Sequence, residues 1–420
     1  METTLLTSLR KGDVPKWLEE LAAAERMDLD RLVENILAGH AVVLGHRTGR
    51  GTMVVGRGAR TKVNANIGAS TLTSSIDYEK KKLDAALRAK TDAVMDLSLA
   101  DNIVDIRKMV LENSTVPVGT VPIYEAATMA RLSRGAVVNL DPEEMFQVLE
   151  RQMAEGVDFV TVHCGITRQL IEAHPPEERL EGIVSRGGTI TAAYIRNTGR
   201  ENPYFEQYDR LLELAEKYDC VLSLGDGMRP GALADAADAL EVGEQEILGQ
   251  LQRRAFERGV MSMIEGPGHV PIHMVKKAVH RIKELTNQAP LYLLGPIVTD
   301  VAPGYDHITS AIGAGIAGMC GADFICYVTP SEHLGLPTEQ DVYDGVIAAR
   351  IAAHAADIAK DVPGAMEWDN ELSRARKALD WDRQIELSID PEKARRVRRE
   401  RSGEGACTMC GEYCVFLILK

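Results

Sequence analysis

Residues 158–165 read DFVTVHCG. The apolar run is too short for a core helix. Its β-branched and aromatic residues, closed by His163 and a glycine two positions later, read as a strand buried on both faces with a polar side chain at its exit. Seven further stretches repeat the pattern: TKVNANIG (61–68), DAVMDLS (92–98), TVPVGT (115–120), CVLSLGDG (220–227), VMSMIEGPGH (260–269), PLYLLGP (290–296) and DFICYVTP (323–330). Helix-like stretches such as DPEEMFQVLERQMAEG (141–156), QYDRLLELAEKY (207–218) and ITSAIGAGIAGMCG (308–321) lie between them. Eight such units over roughly 270 residues predict a (β/α)8 TIM barrel, in which the strands' C-terminal ends form the active face. Asn64, Asn66, Asp96, His163, Asp226, Glu265, Glu332 and His333 sit at those ends and are expected around one cavity.

Outward from the barrel, residues 1–60 read as a small N-terminal α+β domain. It has two helical patterns, PKWLEELAAAERM (15–27) and LDRLVENILAG (29–39), the second capped by Asp28 and closed by Gly39. A β-rich stretch, AVVLGHRTGRGTMVVGRG (41–58), follows. The barrel is assigned to residues 61–360. Residues 361–420 form a charged helical region ending in a cysteine-bearing tail.

A net charge of −14 argues against nucleic acid or an anionic membrane as the main partner, so any phosphate on a substrate must be met locally. The basic run RRVRRER (395–401) then reads as a solvated helix face. The start, METTLLTSLRKGDVPKW, has no signal-peptide pattern and no stretch approaches a membrane span, so a cytoplasmic location is expected.

In a reducing compartment, clustered cysteines point to metal or catalysis, and the three of CTMCGEYC (407–414) cannot all pair internally. Cys407, Cys410 and Cys414 at C-x2-C-x3-C suit zinc or an iron–sulfur cluster. Structural zinc wants a fourth ligand, and the nearest histidine upstream is His354. A 4Fe–4S cluster held by three thiolates leaves one iron open, which is what S-adenosylmethionine needs. VFLILK (415–420) reads as an apolar cover or a strand. Cys164, Cys220, Cys320 and Cys326 lie in apolar runs and are expected as buried structural thiols.

Two loops suit a phosphorylated ligand. SRGG (185–188) offers a hydroxyl, a guanidinium and close-approach amides; as a bare motif it also fits a solvated turn. DGMRPG (226–231) places a carboxylate and a guanidinium at a strand end, where they suit ribose and phosphate or simply pair with each other.

The ordered strings RTKVNANIG, TVPVGTVPIYEA, GIVSRGG, SLGDGMRPG, MIEGPGHVPIHM, LGPIVTDVAPGYDHITSAIG, CYVTPSEHLGLP, RIAAHAADIAK and CTMCGEYC closely resemble the phosphomethylpyrimidine synthase family of thiamine biosynthesis, from about Arg60 to the end. That family comprises non-classical radical S-adenosylmethionine enzymes. The resemblance implies a 4Fe–4S cluster on Cys407, Cys410 and Cys414, S-adenosylmethionine, an external electron donor, and a homodimer whose cluster tail reaches the neighbouring active site. It implies 5-aminoimidazole ribotide as substrate, contacted by Asn66, Met95, Tyr124, His163, Ser185, Arg186, Gly187, Asp226, Gly227, Met228, Arg229, Glu265 and Tyr292. It also makes His269 and His333 ligands of a second metal, zinc or iron. Glu265 is placed to bind ribose or move protons, as a catalytic group beside the cluster cysteines.

Several strings depart from the family pattern: MDLSLADN, which continues the DAVMDLS stretch, YIRNTGRENPY, and ASTLTSS after NANIG. The phosphate loop and metal histidines remain while these strings change. That combination favours the paralogue that makes 5-hydroxybenzimidazole, a cobamide lower-ligand precursor, from the same ribotide. Phosphomethylpyrimidine synthesis is the alternative. A zinc-dependent barrel lyase with a zinc-knuckle tail is the reading from another class.

Overall fold

The computed structural model describes residues 3–73, 75–401 and 405–418. β1 (Ala41–Leu44) and β2 (Met53–Gly56) form an antiparallel hairpin. β3 (Lys62–Ile67), β4 (Ala93–Asp96), β5 (Val118–Thr120), β6 (Phe159–Val162), β7 (Val221–Leu224), β8 (Ser262–Gly266), β9 (Leu291–Leu294) and β10 (Phe324–Cys326) close into a parallel barrel in sequence order, with β10 pairing back onto β3. Each barrel strand falls inside one of the eight stretches read from the sequence. Their runs are buried almost from end to end because helices cover the outside while side chains fill the inside. In that filling, Tyr292 stacks on Phe324 at 4.5 Å between centroids, and Phe159 meets Phe324 edge-on at 6.2 Å.

The N-terminal segment carries helices Leu5–Arg10, Trp17–Ala24 and Leu29–Leu37. The last two were legible, and Asp28 does cap the third by accepting Arg31 N–H at 3.2 Å. The first, six residues long, starts where Thr4 accepts Thr7 N–H, and nothing in its short pattern announced it. This segment is tied to residues that precede barrel strands. Thr4 Oγ1 donates to Gly259 O at 2.7 Å, His46 Nε2 lies 2.8 Å from Asp219, and Thr48 Oγ1 donates to Asp158 at 2.5 Å. Lys62, the first residue of β3, makes a buried ion pair with Glu25. These bonds place the segment at the end where the strands begin and leave their C-terminal ends open.

The chain divides into two compact units, Met1–Ala356 and Asp357–Lys420. The second contains helices Ala365–Ala378, Trp381–Leu387 and Pro391–Glu400, then the cysteine turn. The strand alternative for the tail is not found: Val415–Ile418 is a helical turn, because Leu417 and Ile418 N–H both return to Cys414 O. The remaining two residues of VFLILK, and residues 402–404 of the linker, lie outside the described residues.

Candidate active site

A cavity of about 80 Å³ opens at the C-terminal mouth of the barrel. Asn66, Met95, Tyr124, His163, Asp226, Arg229, Glu265 and Tyr292 all line it, joined by Thr161 and Cys326. The parallel register explains the convergence: Asn66 is level with Met95, and Glu265 with Tyr292. Equivalent positions on neighbouring strands therefore present their side chains at one height.

Three hydrogen-bonded groups organise the wall. Asn64 Nδ2 donates to Asn66 Oδ1 and to the Tyr292 hydroxyl, each at 2.8 Å, while that hydroxyl donates to Met95 Sδ at 3.4 Å. Asn66 Nδ2 reaches Cys326 Sγ at 2.9 Å, and Tyr327 OH fixes Asn66 O at 2.6 Å. On the opposite side, Thr161 and Ser223 hydroxyls both donate to Glu265 Oε1 at 2.7 Å. Among the described residues Oε2 takes no protein hydrogen bond, so Glu265 is held by one oxygen and free to work with the other.

His163 is nearly fully buried, and burial, helped by the Arg229 charge, drives its pKa down to about 3. It is a neutral imidazole at any physiological pH. Ser185 Oγ accepts Gly188 N–H and has its own proton to give to His163 Nε2, 3.3 Å away. That tautomer carries its hydrogen on Nδ1, which is buried without a protein partner. Burial also raises the carboxyl of Asp226 well above the usual range, although Arg229 Nη1 at 3.1 Å opposes it. Tyr124 is likewise raised by burial, with Arg186 and Arg229 near enough to pull it back.

The SRGG segment opens helix Arg186–Thr198, with Ser185 as its N-cap. Its glycines are required by close approach. A Cβ on Gly187 would overlap the His163 ring, and one on Gly188 would overlap Gly227 O. The two loops read as phosphate binders are thus packed directly together, with Arg186 exposed at their edge. Gly227 and Met228 do not line the cavity. Their amides donate to Glu244 at 3.0 and 2.7 Å, the Met228 side chain is buried, and Arg179 holds Met228 O at 2.7 Å. Burial pushes the Glu244 carboxyl up to about 8 against the effect of those two amides.

His269 and His333 come together with centroids 5.4 Å apart. Their Nδ1 atoms face Asp300 at 2.9 Å and Asp306 at 3.0 Å. A carboxylate on Nδ1 fixes the tautomer that leaves Nε2 as a lone-pair ligand, the usual outer partner of a metal-binding histidine.

In the second unit, Cys410 and Gly411 N–H both return to Cys407 O, at 3.2 and 2.9 Å, which winds the cysteines into one turn. All three thiols are free of disulfides, and the backbone amides of Cys410 and Met409 hold the Cys407 thiol below its ordinary pKa. Among the described residues no three Cys, His, Asp or Glu side chains converge tightly enough for a single ion. The donor set still fits a cluster, whose thiolates sit apart on separate irons.

Some placements differ from expectation. Asp96 is buried beneath the mouth, accepting Ser98 N–H and O–H on one oxygen, and does not reach the cavity. Glu332 is an exposed loop residue whose carboxylate accepts Thr329 N–H. Cys326, read as a structural thiol, is buried but lines the cavity, because it is the last residue of β10 and faces inward; burial raises its pKa to about 12. Cys164 and Cys220 are buried as expected, and Cys320 only partly so. Thr161, Ser223, Asp300 and Asp306 were also missed, since each acts through a neighbour far away in sequence.

No helix among the described residues is long and apolar enough to cross a membrane. The Radical SAM ThiC family model matches residues 4–420. A phosphomethylpyrimidine synthase of Moorella thermoacetica is 51% identical over 420 residues, covering 99% of this chain and 97% of its own length. One from Desulforamulus reducens is 49% identical with the same coverage, and "Phosphomethylpyrimidine synthase 2" of Syntrophotalea carbinolica is 49% identical over 99% of this chain and 98% of its own. An eight-stranded barrel, a three-cysteine turn and end-to-end sequence similarity agree: the chain belongs to the radical SAM ThiC family.

Proposed function

We propose that the protein is a phosphomethylpyrimidine synthase, converting 5-aminoimidazole ribotide to 4-amino-5-hydroxymethyl-2-methylpyrimidine phosphate for thiamine. The observation that carries the reading is the meeting of eight of the residues implied by family resemblance in one cavity at the barrel mouth. The sequence preference for 5-hydroxybenzimidazole gives way here. Relatives about half identical from end to end carry the pyrimidine name, which supports the thiamine product ahead of the cobamide one.

Cys407, Cys410 and Cys414 are the ligands for a 4Fe–4S cluster. Such a cluster, when bound together with S-adenosylmethionine, would supply the adenosyl-radical chemistry. The chain's part is to bind and orient. Arg186 and Arg229 meet the ribotide phosphate, Ser185 caps the helix that carries Arg186, and Asp226 and Glu265 Oε2 address the ribotide's hydroxyls. Neutral His163 offers a buried N–H, and Asn66 and Tyr292 hold the opposite wall. Glu265 is the group placed to accept or return a proton. His269 and His333 would present two imidazole nitrogens to a divalent metal, zinc or iron.

A homodimer is part of this reading. Helix Asp306–Met319 leaves Ile308, Ile312 and Met319 about half exposed, and Val301 and Tyr305 just before it are more exposed still. An apolar stripe of this kind is suited to a second copy.

The test is product analysis. The protein is reconstituted with iron and sulfide under nitrogen, then given dithionite, S-adenosylmethionine and the ribotide, and products are separated with mass detection. A phosphomethylpyrimidine peak is expected. A 5-hydroxybenzimidazole peak would restore the paralogue, and neither product would remove both.

A further inference from the structure

Helix Pro391–Glu400 carries a concentration of charge opposite in sign to the whole chain. Residues 391–401 hold six basic side chains against two acidic ones, in a protein of net charge −14. Arg395, Arg396 and Arg399 are exposed and, at i, i+1 and i+4, share one face of the helix. The flank of that face is anchored. The Arg398 guanidinium lies 3.9 Å over the Trp381 ring, and Trp381 Nε1–H donates to Gly405 O at 2.8 Å. Gly405 is two residues before Cys407. The indole therefore clamps the basic helix to the strand of chain that leads into the cysteine turn, all within one compact unit.

We infer that the Arg395–Arg396–Arg399 face is the docking surface for an acidic one-electron carrier protein. The inference rests on the proposed function, in which three cysteines hold a cluster that must be reduced from outside. The carrier gives up one electron and the cluster gains it; no proton or group moves. Electron transfer falls steeply with distance, so a carrier must seat close to the thiolates. A local positive face on the compact unit that carries the thiolates steers a negative partner that the rest of the molecule repels.

The test uses the full chain and reduced flavodoxin, an acidic flavin protein, as probe. Binding is measured by calorimetry on the protein itself at several salt concentrations, for the unaltered chain, for R395Q/R396Q/R399Q and for R395E/R396E/R399E. S-adenosylmethionine cleavage is then driven either by flavodoxin or by dithionite, a small reductant that needs no docking. The expected result is at least a tenfold weaker Kd for the glutamine variant, a larger loss for the glutamate variant, and a shallower salt dependence in both. Dithionite-driven cleavage should be unchanged. Equal flavodoxin affinity in all three proteins would overturn the proposal. So would full competition by a single-stranded oligonucleotide, which marks an indiscriminate polyanion site, or a change in oligomeric mass, which marks a contact between copies. Absence of dithionite-driven cleavage in the unaltered chain would count against the proposed function, while the binding arm still decides the docking.

Discussion

His269 and His333, 64 positions apart in the chain, face each other at 5.4 Å, and each turns its Nδ1 to its own carboxylate. Asp300 and Asp306 fix which nitrogen is left over. His269→Ala is expected to remove bound divalent metal from the purified protein, measured by mass spectrometry of the metal content. Asp306→Asn should keep the site but weaken metal affinity about 10–100-fold. Unchanged metal content in His269→Ala would show that the pair is not a metal site.

Cys410→Ala should abolish the brown iron–sulfur colour and the cleavage of S-adenosylmethionine. The barrel should be untouched: its unfolding free energy is expected within about 0.5 kcal/mol of the parent, because Cys410 lies on a surface turn. Retained cleavage in this variant would sink the cluster assignment.

Arg186→Ala should weaken ribotide binding by roughly 10- to 100-fold, the loss of a charge-assisted phosphate contact worth about 1.5–3 kcal/mol. S-adenosylmethionine binding should hardly change. Calorimetric titration with each ligand separates the two, and equal losses would contradict the phosphate role.

Asp96 supplies a pH test. Burial raises its carboxyl from 3.8 to about 6, so ionising it costs the folded state. Its folded pKa lies above the unfolded one. The favourable contribution is therefore complete below about pH 3.8 and is lost as pH rises through about 6. Asp96→Asn removes that dependence. Relative to the parent, the variant should gain on the order of 2–3 kcal/mol between pH 4 and 7 and no more above it. Urea unfolding across that range reads the difference directly, and a constant difference would exclude the assignment.

The barrel was legible because its strands are short apolar runs punctuated by glycine, proline and polar residues, and because helical periodicity separates them. Most of the cavity was legible too, since Asn66, His163, Asp226 and Glu265 stand at strand exits. What escaped was whatever depends on pairing across strands. Cys326 sits in an apolar run that gives no sign of facing a cavity, and only the closure of β10 onto β3 brings it to Asn66. Thr161 and Ser223 look like ordinary strand residues until Glu265 reaches both from a third strand, β8. Met228 was carried into the site by its motif, whereas its backbone is committed to Glu244 and Arg179 from other elements.

That commitment gives the cavity a polarity. Consecutive amides such as those of Gly227 and Met228 are a natural seat for a phosphate, but here a carboxyl group of the chain itself already fills it. A nucleotide arriving at the mouth finds one of its two plausible berths taken. In the proposed reading its phosphate takes the rim beside Arg186 and Arg229, and its hydroxyls turn inward toward Asp226 and Glu265. In that reading orientation owes as much to a refusal as to an attraction, since a phosphate entering the other way round would meet the Asp226 and Glu265 carboxyls.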